Sequence, residues 1–143
     1  MVKFEKYFMR VAEATAALSK DPSTKIGTCI VGSGNEILST GYNGFPRGMK
    51  DDSDLYLNRK FKLRHSVHAE MNALLNAARN GTQVKGATLY CTHAPCQQCA
   101  AALIQAGVVK VVFPTPDTEF AHRYHFQDTL EMLKHCGVEV RTL

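Results

Sequence analysis

The sequence predicts a layered α/β domain on a mixed sheet, and three observations carry that expectation. From His68 onward, amphipathic stretches alternate with short Val-rich runs, the pattern of helices packed over strands buried on both faces. Ahead of them, two strand-like runs flank a short Gly-rich link, which reads as a hairpin and makes the sheet mixed. A chain of 143 residues with 45% hydrophobic side chains also suits one core, without a second domain.

The elements follow in order. Phe4, Tyr7, Phe8, Val11, Thr15 and Leu18 recur at three- and four-residue spacings, one face of a helix that should end near Asp21-Pro22. Ile26 to Val31 and Glu36 to Thr40 flank Gly32-Ser33-Gly34-Asn35 as the hairpin, and Gly41 to Gly48 is a turn-rich loop. Residues 49–67 are the least regular stretch. There Asp51, Asp52 and Asp54 precede Arg59, Lys60, Lys62 and Arg64; the stretch reads as an insertion whose basic run is a solvated face, with contact to phosphate or a nucleic-acid backbone as the alternative. Helices are expected over Ala69–Arg79, Cys96–Ala106 and Tyr124–His135, and strands over Ala87–Thr92, Val108–Phe113 and Val138–Val140. Without a repeat or a Pro/Ser-rich linker, residues 1–143 read as a single domain.

Charge and cysteine usage narrow the function classes. The 17 Lys and Arg against 13 Asp and Glu leave +4, too mild for a nucleic-acid-coating tail but suited to a phosphate-bearing small molecule. Lys3, Glu5, Lys6, Arg10 and Glu13 interrupt any secretory h-region, and no apolar run approaches the roughly 18 residues of a membrane span. An odd set of five Cys argues against a disulfide framework. Reduced thiols and a cytoplasmic address are expected.

Cys96 and Cys99 lie in Pro95-Cys96-Gln97-Gln98-Cys99, where a strand gives way to an Ala-rich helix. Alone, a C-x-x-C pair fits a redox dithiol, half a zinc site or chance. His68-Ala69-Glu70 opens the preceding helix, and the two helix starts are expected side by side across adjacent parallel strands. One imidazole and two thiolates make three zinc ligands and leave a fourth position to water, the mark of a catalytic site. Such a water approaches a pKa of about 7 and becomes the nucleophile. Glu70 supplies a carboxylate to move protons between water, ring nitrogen and leaving amine. H-x-E with P-C-x-x-C is the signature of the zinc deaminases. Taken singly, a helix-capping His, a solvated first-turn Glu and two structural thiols would each be ordinary; their joint spacing is not.

Beyond these motifs, Tyr7-Phe8-Met9, Ser19-Lys20-Asp21-Pro22, Gly27 to Val31 and Gly41-Tyr42-Asn43-Gly44 occur in the order seen in the deoxycytidylate (dCMP) deaminase family of the cytidine deaminase superfamily. The chain resembles that family from about Phe4 to Phe113. The resemblance implies a three-layer α/β/α sandwich on a five-stranded mixed sheet and hydrolysis of dCMP to dUMP and ammonia. It also implies a homo-oligomer, hexamer or dimer, and a nucleotide effector. Asn43 matches the Asn that faces the nucleotide. Arg47 and Lys25 are the basic residues whose places in the family fold lie nearest the substrate.

Residues 44–64 contain neither Cys nor His, so one zinc per chain is expected instead of the two of some viral relatives. The segment 114–124 does not clearly match the family's aromatic-bearing loop after the fourth strand. A deaminase of another nucleobase, nucleoside or nucleotide would keep the same metal centre. A nucleic-acid deaminase would want a basic groove with stacking aromatics, and the chain has no Trp. A non-enzymatic zinc module would want a fourth protein ligand and no Glu70.

Overall fold

The computed structural model describes residues 2–143. Its strands are β1 (Gly27–Val31), β2 (Ile37–Tyr42), β3 (Thr88–Cys91), β4 (Lys110–Phe113) and β5 (Glu139–Thr142), joined in one sheet of order β2-β1-β3-β4-β5. β1 pairs antiparallel with both β2 and β3, while β3, β4 and β5 run parallel. The hairpin and the mixed sheet are as the sequence predicts. The strands flanking the site are not adjacent, however: β2 and β3 are parallel to each other with antiparallel β1 between them.

Seven helices complete the described chain: α1 (Lys3–Ala16), α2 (Ser53–Leu57), α3 (Arg59–His65), α4 (Ala69–Arg79), α5 (Gln97–Ala106), α6 (Thr118–Arg123) and α7 (Phe126–His135). Alternation along the strands divides the core in two. On one face Ile30, Leu89, Val111 and Phe113 pack with Ala73 of α4, Leu103 of α5 and Leu133 of α7. On the other, Cys29, Val31, Tyr90 and Val112 pack with Phe8, Met9 and Ala12 of α1. The result is three layers, with α1 below the sheet and α4, α5 and α7 above it.

Two glycines let the helices sink onto the strands. A Cβ at Gly27 would stand on Ala12 O and the Ala16 backbone of α1, and one at Gly41 on Ala69 O and Ala73 N of α4. The Thr28 hydroxyl lies within hydrogen-bond distance of both Gly41 O (3.0 Å) and Ala69 O (3.1 Å) at this seam. The first turn of α4 is thereby seated on β1 and β2.

Three expectations need correction. α1 stops at Ala16, well before Pro22, because Leu18 N and Ser19 N turn back to Thr15 O and Ala16 O. Its buried face is Glu5, Phe8, Met9, Ala12 and Thr15, leaving Phe4, Tyr7 and Leu18 exposed; Glu5 is buried in an ion pair with Arg141 of β5 at 2.7 Å. Residues 49–67 are not irregular: Asp52 caps α2 through Asp54 N and Asn58 caps α3 through Phe61 N. Residues 114–124 likewise contain α6, capped by Asp117 through Phe120 N. Among the described residues, no helix is long and apolar enough to cross a membrane.

Candidate active site

His68 and Cys96 occupy equivalent places. Each is the extended N-cap residue of a helix, His68 of α4 and Cys96 of α5, with Cys99 in the first turn of the latter. The Cys96 sulfur accepts from Cys99 N at 3.4 Å, an interaction that favours the thiolate, as does the positive end of the helix dipole. His68 Nδ1 lies 3.5 Å from Cys96 Sγ and 3.4 Å from Cys99 Sγ. Zinc with bonds of about 2.3 Å to sulfur and about 2.0 Å to nitrogen, at the tetrahedral angle, separates the two atom types by about 3.5 Å. The donor set therefore fits zinc in kind and in spacing. Among the described residues it is also the one group of three His, Cys, Asp or Glu donors gathered within 4.8 Å.

The electrostatics agree. The Cys99 side chain, hydrogen-bonded to the Cys96 sulfur, draws the Cys96 thiol down to about 4, and His68 and the Cys99 N–H add to it. The same thiol-to-sulfur bond, with burial, pushes Cys99 up, while the Cys96 sulfur raises His68. The cluster thus holds protons where a cation would replace them, so metal uptake releases protons. Glu70 is 4% exposed, and burial pushes its carboxyl up to about 7.

His68, Glu70 and Cys96 line a cavity of about 420 Å³. One wall is the loop after α1, with Asp21, Thr24 and Ile26, joined by Asn43. A second is α3, through Arg59, Lys62 and Leu63. A third is α6, through Phe120, Arg123 and Tyr124. His93 borders the zinc end and meets the Phe120 ring edge-on at 4.4 Å.

Asn43 reaches the cavity wall, yet its amide is largely committed. Oδ1 accepts from Ile26 N and Nδ2 donates to Thr24 O, both at 2.8 Å, which leaves one N–H and one lone pair. Arg47 and Lys25 are not brought to the cavity. Arg47 donates to Asn76 Oδ1 at 2.7 Å and Lys25 to Ser19 O, each drawn aside by an acceptor on its own side of the wall. The cations that do line it are Arg59, Lys62 and Arg123. The sequence favours a solvated face for Arg59 and Lys62 with phosphate contact as the alternative, and Arg123 lies in the segment it leaves unassigned. The available signal was the pair of Asx caps, Asn58 and Asp117, each one residue ahead of a short helix. Of the other cysteines, Cys29 and Cys91 are buried in strands and Cys136 is exposed.

Comparison with known proteins agrees with this geometry. The family model described as the cytidine and deoxycytidylate deaminase zinc-binding region matches residues 2–115. The chain is 39% identical over 134 residues to the deoxycytidylate deaminase of Homo sapiens, covering 89% of this chain and 70% of that one. It is also 39% identical over 143 residues to an uncharacterized deaminase in the luxG 3' region of Aliivibrio fischeri, covering 99% and 94%. Among solved structures it is similar to the dCMP deaminase of cyanophage S-TIM5 in complex with dCMP and dUMP, at 30% identity and a TM-score of 0.79 over the whole of both chains. The family match spans β1 to β4, α4, α5 and the His-Cys-Cys cluster, and the chain belongs to the cytidine and deoxycytidylate deaminase family.

Proposed function

We propose that this chain is a zinc-dependent deaminase that hydrolyses dCMP to dUMP and ammonia. The observation that carries the reading is a buried carboxylate, Glu70, on the same cavity as His68 and Cys96, two residues along the helix that His68 caps. The likeness to human and cyanophage dCMP deaminases supports the substrate.

His68, Cys96 and Cys99 hold the metal. When bound, zinc supplies a Lewis-acid centre that lowers the pKa of water toward about 7. Glu70 is not a ligand. Its carboxylate takes one proton from the attacking water and delivers it to the ring nitrogen beside the amino-bearing carbon, then takes the second from the oxygen now bonded to that carbon and passes it to the departing amine as the carbon–nitrogen bond breaks. Water adds one oxygen and two hydrogens, and ammonia leaves with the former amino nitrogen, so the balance closes. Asn43 is a substrate-side residue that acts mainly by fixing Thr24 and Ile26, with its remaining N–H available to the sugar.

The whole chain works as one domain, because β5 at the C-terminal end completes the parallel sheet begun by β3. A homo-oligomer is supported by the exposed Val2, Phe4 and Tyr7 on α1; light scattering would give its size. A cytoplasmic address is supported by the five free cysteines, and a nucleotide effector by the family resemblance. Ammonia release from dCMP, deoxycytidine, cytosine, adenine, guanine and a short single strand tests the central reading. dCMP should give the highest kcat/KM, and a free base or a single strand giving the highest value would overturn it.

A further inference from the structure

We propose that α3 reads the anionic end of the substrate through Arg59, and that the buried Lys62–Asp21 pair is the positioning device that holds Arg59 over the cavity. This rests on the reading of the chain as a deaminase of a phosphorylated nucleoside.

The charges on the cavity wall single out Arg59. Lys62 is paired with Asp21 at 3.3 Å, Arg123 with Glu119 at 3.1 Å, and Asp117 is committed to capping α6. Glu70 belongs to the zinc end. Arg59 lines the same cavity and has no hydrogen-bond or ion-pair partner among the described residues. A phosphate entering the cavity meets Lys62 in a pair that is mostly out of solvent, Arg123 beside Glu119 in an exposed pair, and Arg59 with no acidic partner, and a guanidinium fork matches phosphate oxygens in geometry as well as charge.

The placement of that fork is fixed from beneath. The Lys62 and Asp21 side chains are 13% and 4% exposed. Lys62 also donates to Ser23 Oγ at 2.8 Å, while Asp21 accepts from Ser23 N at 2.9 Å and Thr24 N at 3.2 Å. This network joins α3 to the loop whose Thr24 and Ile26 form the neighbouring wall. Arg59 and Lys62 are three residues apart on a helix and so share a face. Tying Lys62 to the loop therefore turns Arg59 to the cavity, although α3 fully buries no side chain of its own.

Steady-state kinetics on dCMP and deoxycytidine, with zinc-replete enzyme, test both halves. Arg59→Gln should lower kcat/KM for dCMP about 10- to 100-fold through KM and leave deoxycytidine within about twofold, the loss of one charge-assisted contact. Lys60→Gln removes the same charge from the same helix away from the cavity and should leave the dCMP to deoxycytidine ratio unchanged. Lys62→Met should reduce that ratio, Lys62→Arg should retain most of it, and Lys62→Met should add little in an Arg59→Gln background. Equal losses on both substrates, no loss with Arg59→Gln, or an equal loss with Lys60→Gln would overturn the Arg59 assignment. A ratio untouched by Lys62→Met would overturn the positioning role. Wild-type enzyme that deaminates neither substrate would overturn the proposed function itself, and one that favours deoxycytidine would overturn the dCMP assignment and the phosphate reading with it, whereas a dCMP-preferring enzyme indifferent to Arg59→Gln would overturn the Arg59 assignment alone.

Discussion

The floor and the rim of the cavity are built differently. The floor hangs on α4 and α5, helices seated on the sheet through Ala73, Ala77, Ala100 and Leu103, with Gly41 clearing space for α4. The rim is α3 and α6, helices of seven and six residues that bury no side chain completely. The floor gets its precision from apolar packing of whole helices. The rim gets its precision from single polar contacts: two Asx caps, the Lys62–Asp21 pair and the Asn43 amide. Metal ligands that must be placed to tenths of an ångström call for support of the first kind, whereas the second leaves short helices held at single points.

Four measurements can break or sharpen that contrast. The largest effect belongs to the metal. Chelation should abolish turnover, zinc should restore it at about one ion per chain, and the metal-free protein should melt at a lower temperature because ligation contributes to folding. Elemental analysis and thermal unfolding read both; about two zinc ions per chain, or full zinc content in Cys99→Ser, would refute the ligand assignment. Next is Glu70→Gln, a near-isosteric change on the floor that should keep zinc and fold and cut turnover about 100- to 10,000-fold. Zinc-replete variant with near wild-type turnover would remove Glu70 from the mechanism.

Asn43→Ala lies at the junction of the two regions. It leaves Ile26 N and Thr24 O without their partner and should lower kcat/KM by about 5- to 150-fold, the cost of an orphaned buried group. The loss should fall on dCMP and deoxycytidine alike, unlike that of Arg59→Gln. The smallest effect is expected at Arg123→Gln on the rim, whose pair with Glu119 is well exposed on both sides. The melting temperature should move by less than about 2 °C. A larger shift would show that α6 is held more firmly than its contacts suggest.

These contrasts explain what could be read in advance. The chain order of α4, β3, α5, β4, α7 and β5, and the ligand set His68, Cys96 and Cys99 with Glu70 beside it, were determined by the sequence itself. Their signals are local: apolar periodicity, and motifs of three to five residues at helix starts. Tertiary structure alone decided that antiparallel β1 separates β2 from β3, that Lys25 and Arg47 turn away, and that Arg59, Phe120 and Arg123 line the same cavity as His68 and Glu70. α3 and α6 are too short and too exposed to leave an apolar period. The contacts that place the rim also join positions far apart in the chain, such as Asp21 to Lys62 across 41 residues and Thr24 to Asn43 across 19. A polar contact between distant residues has no spacing rule, so it exists only once the sheet has brought its partners together.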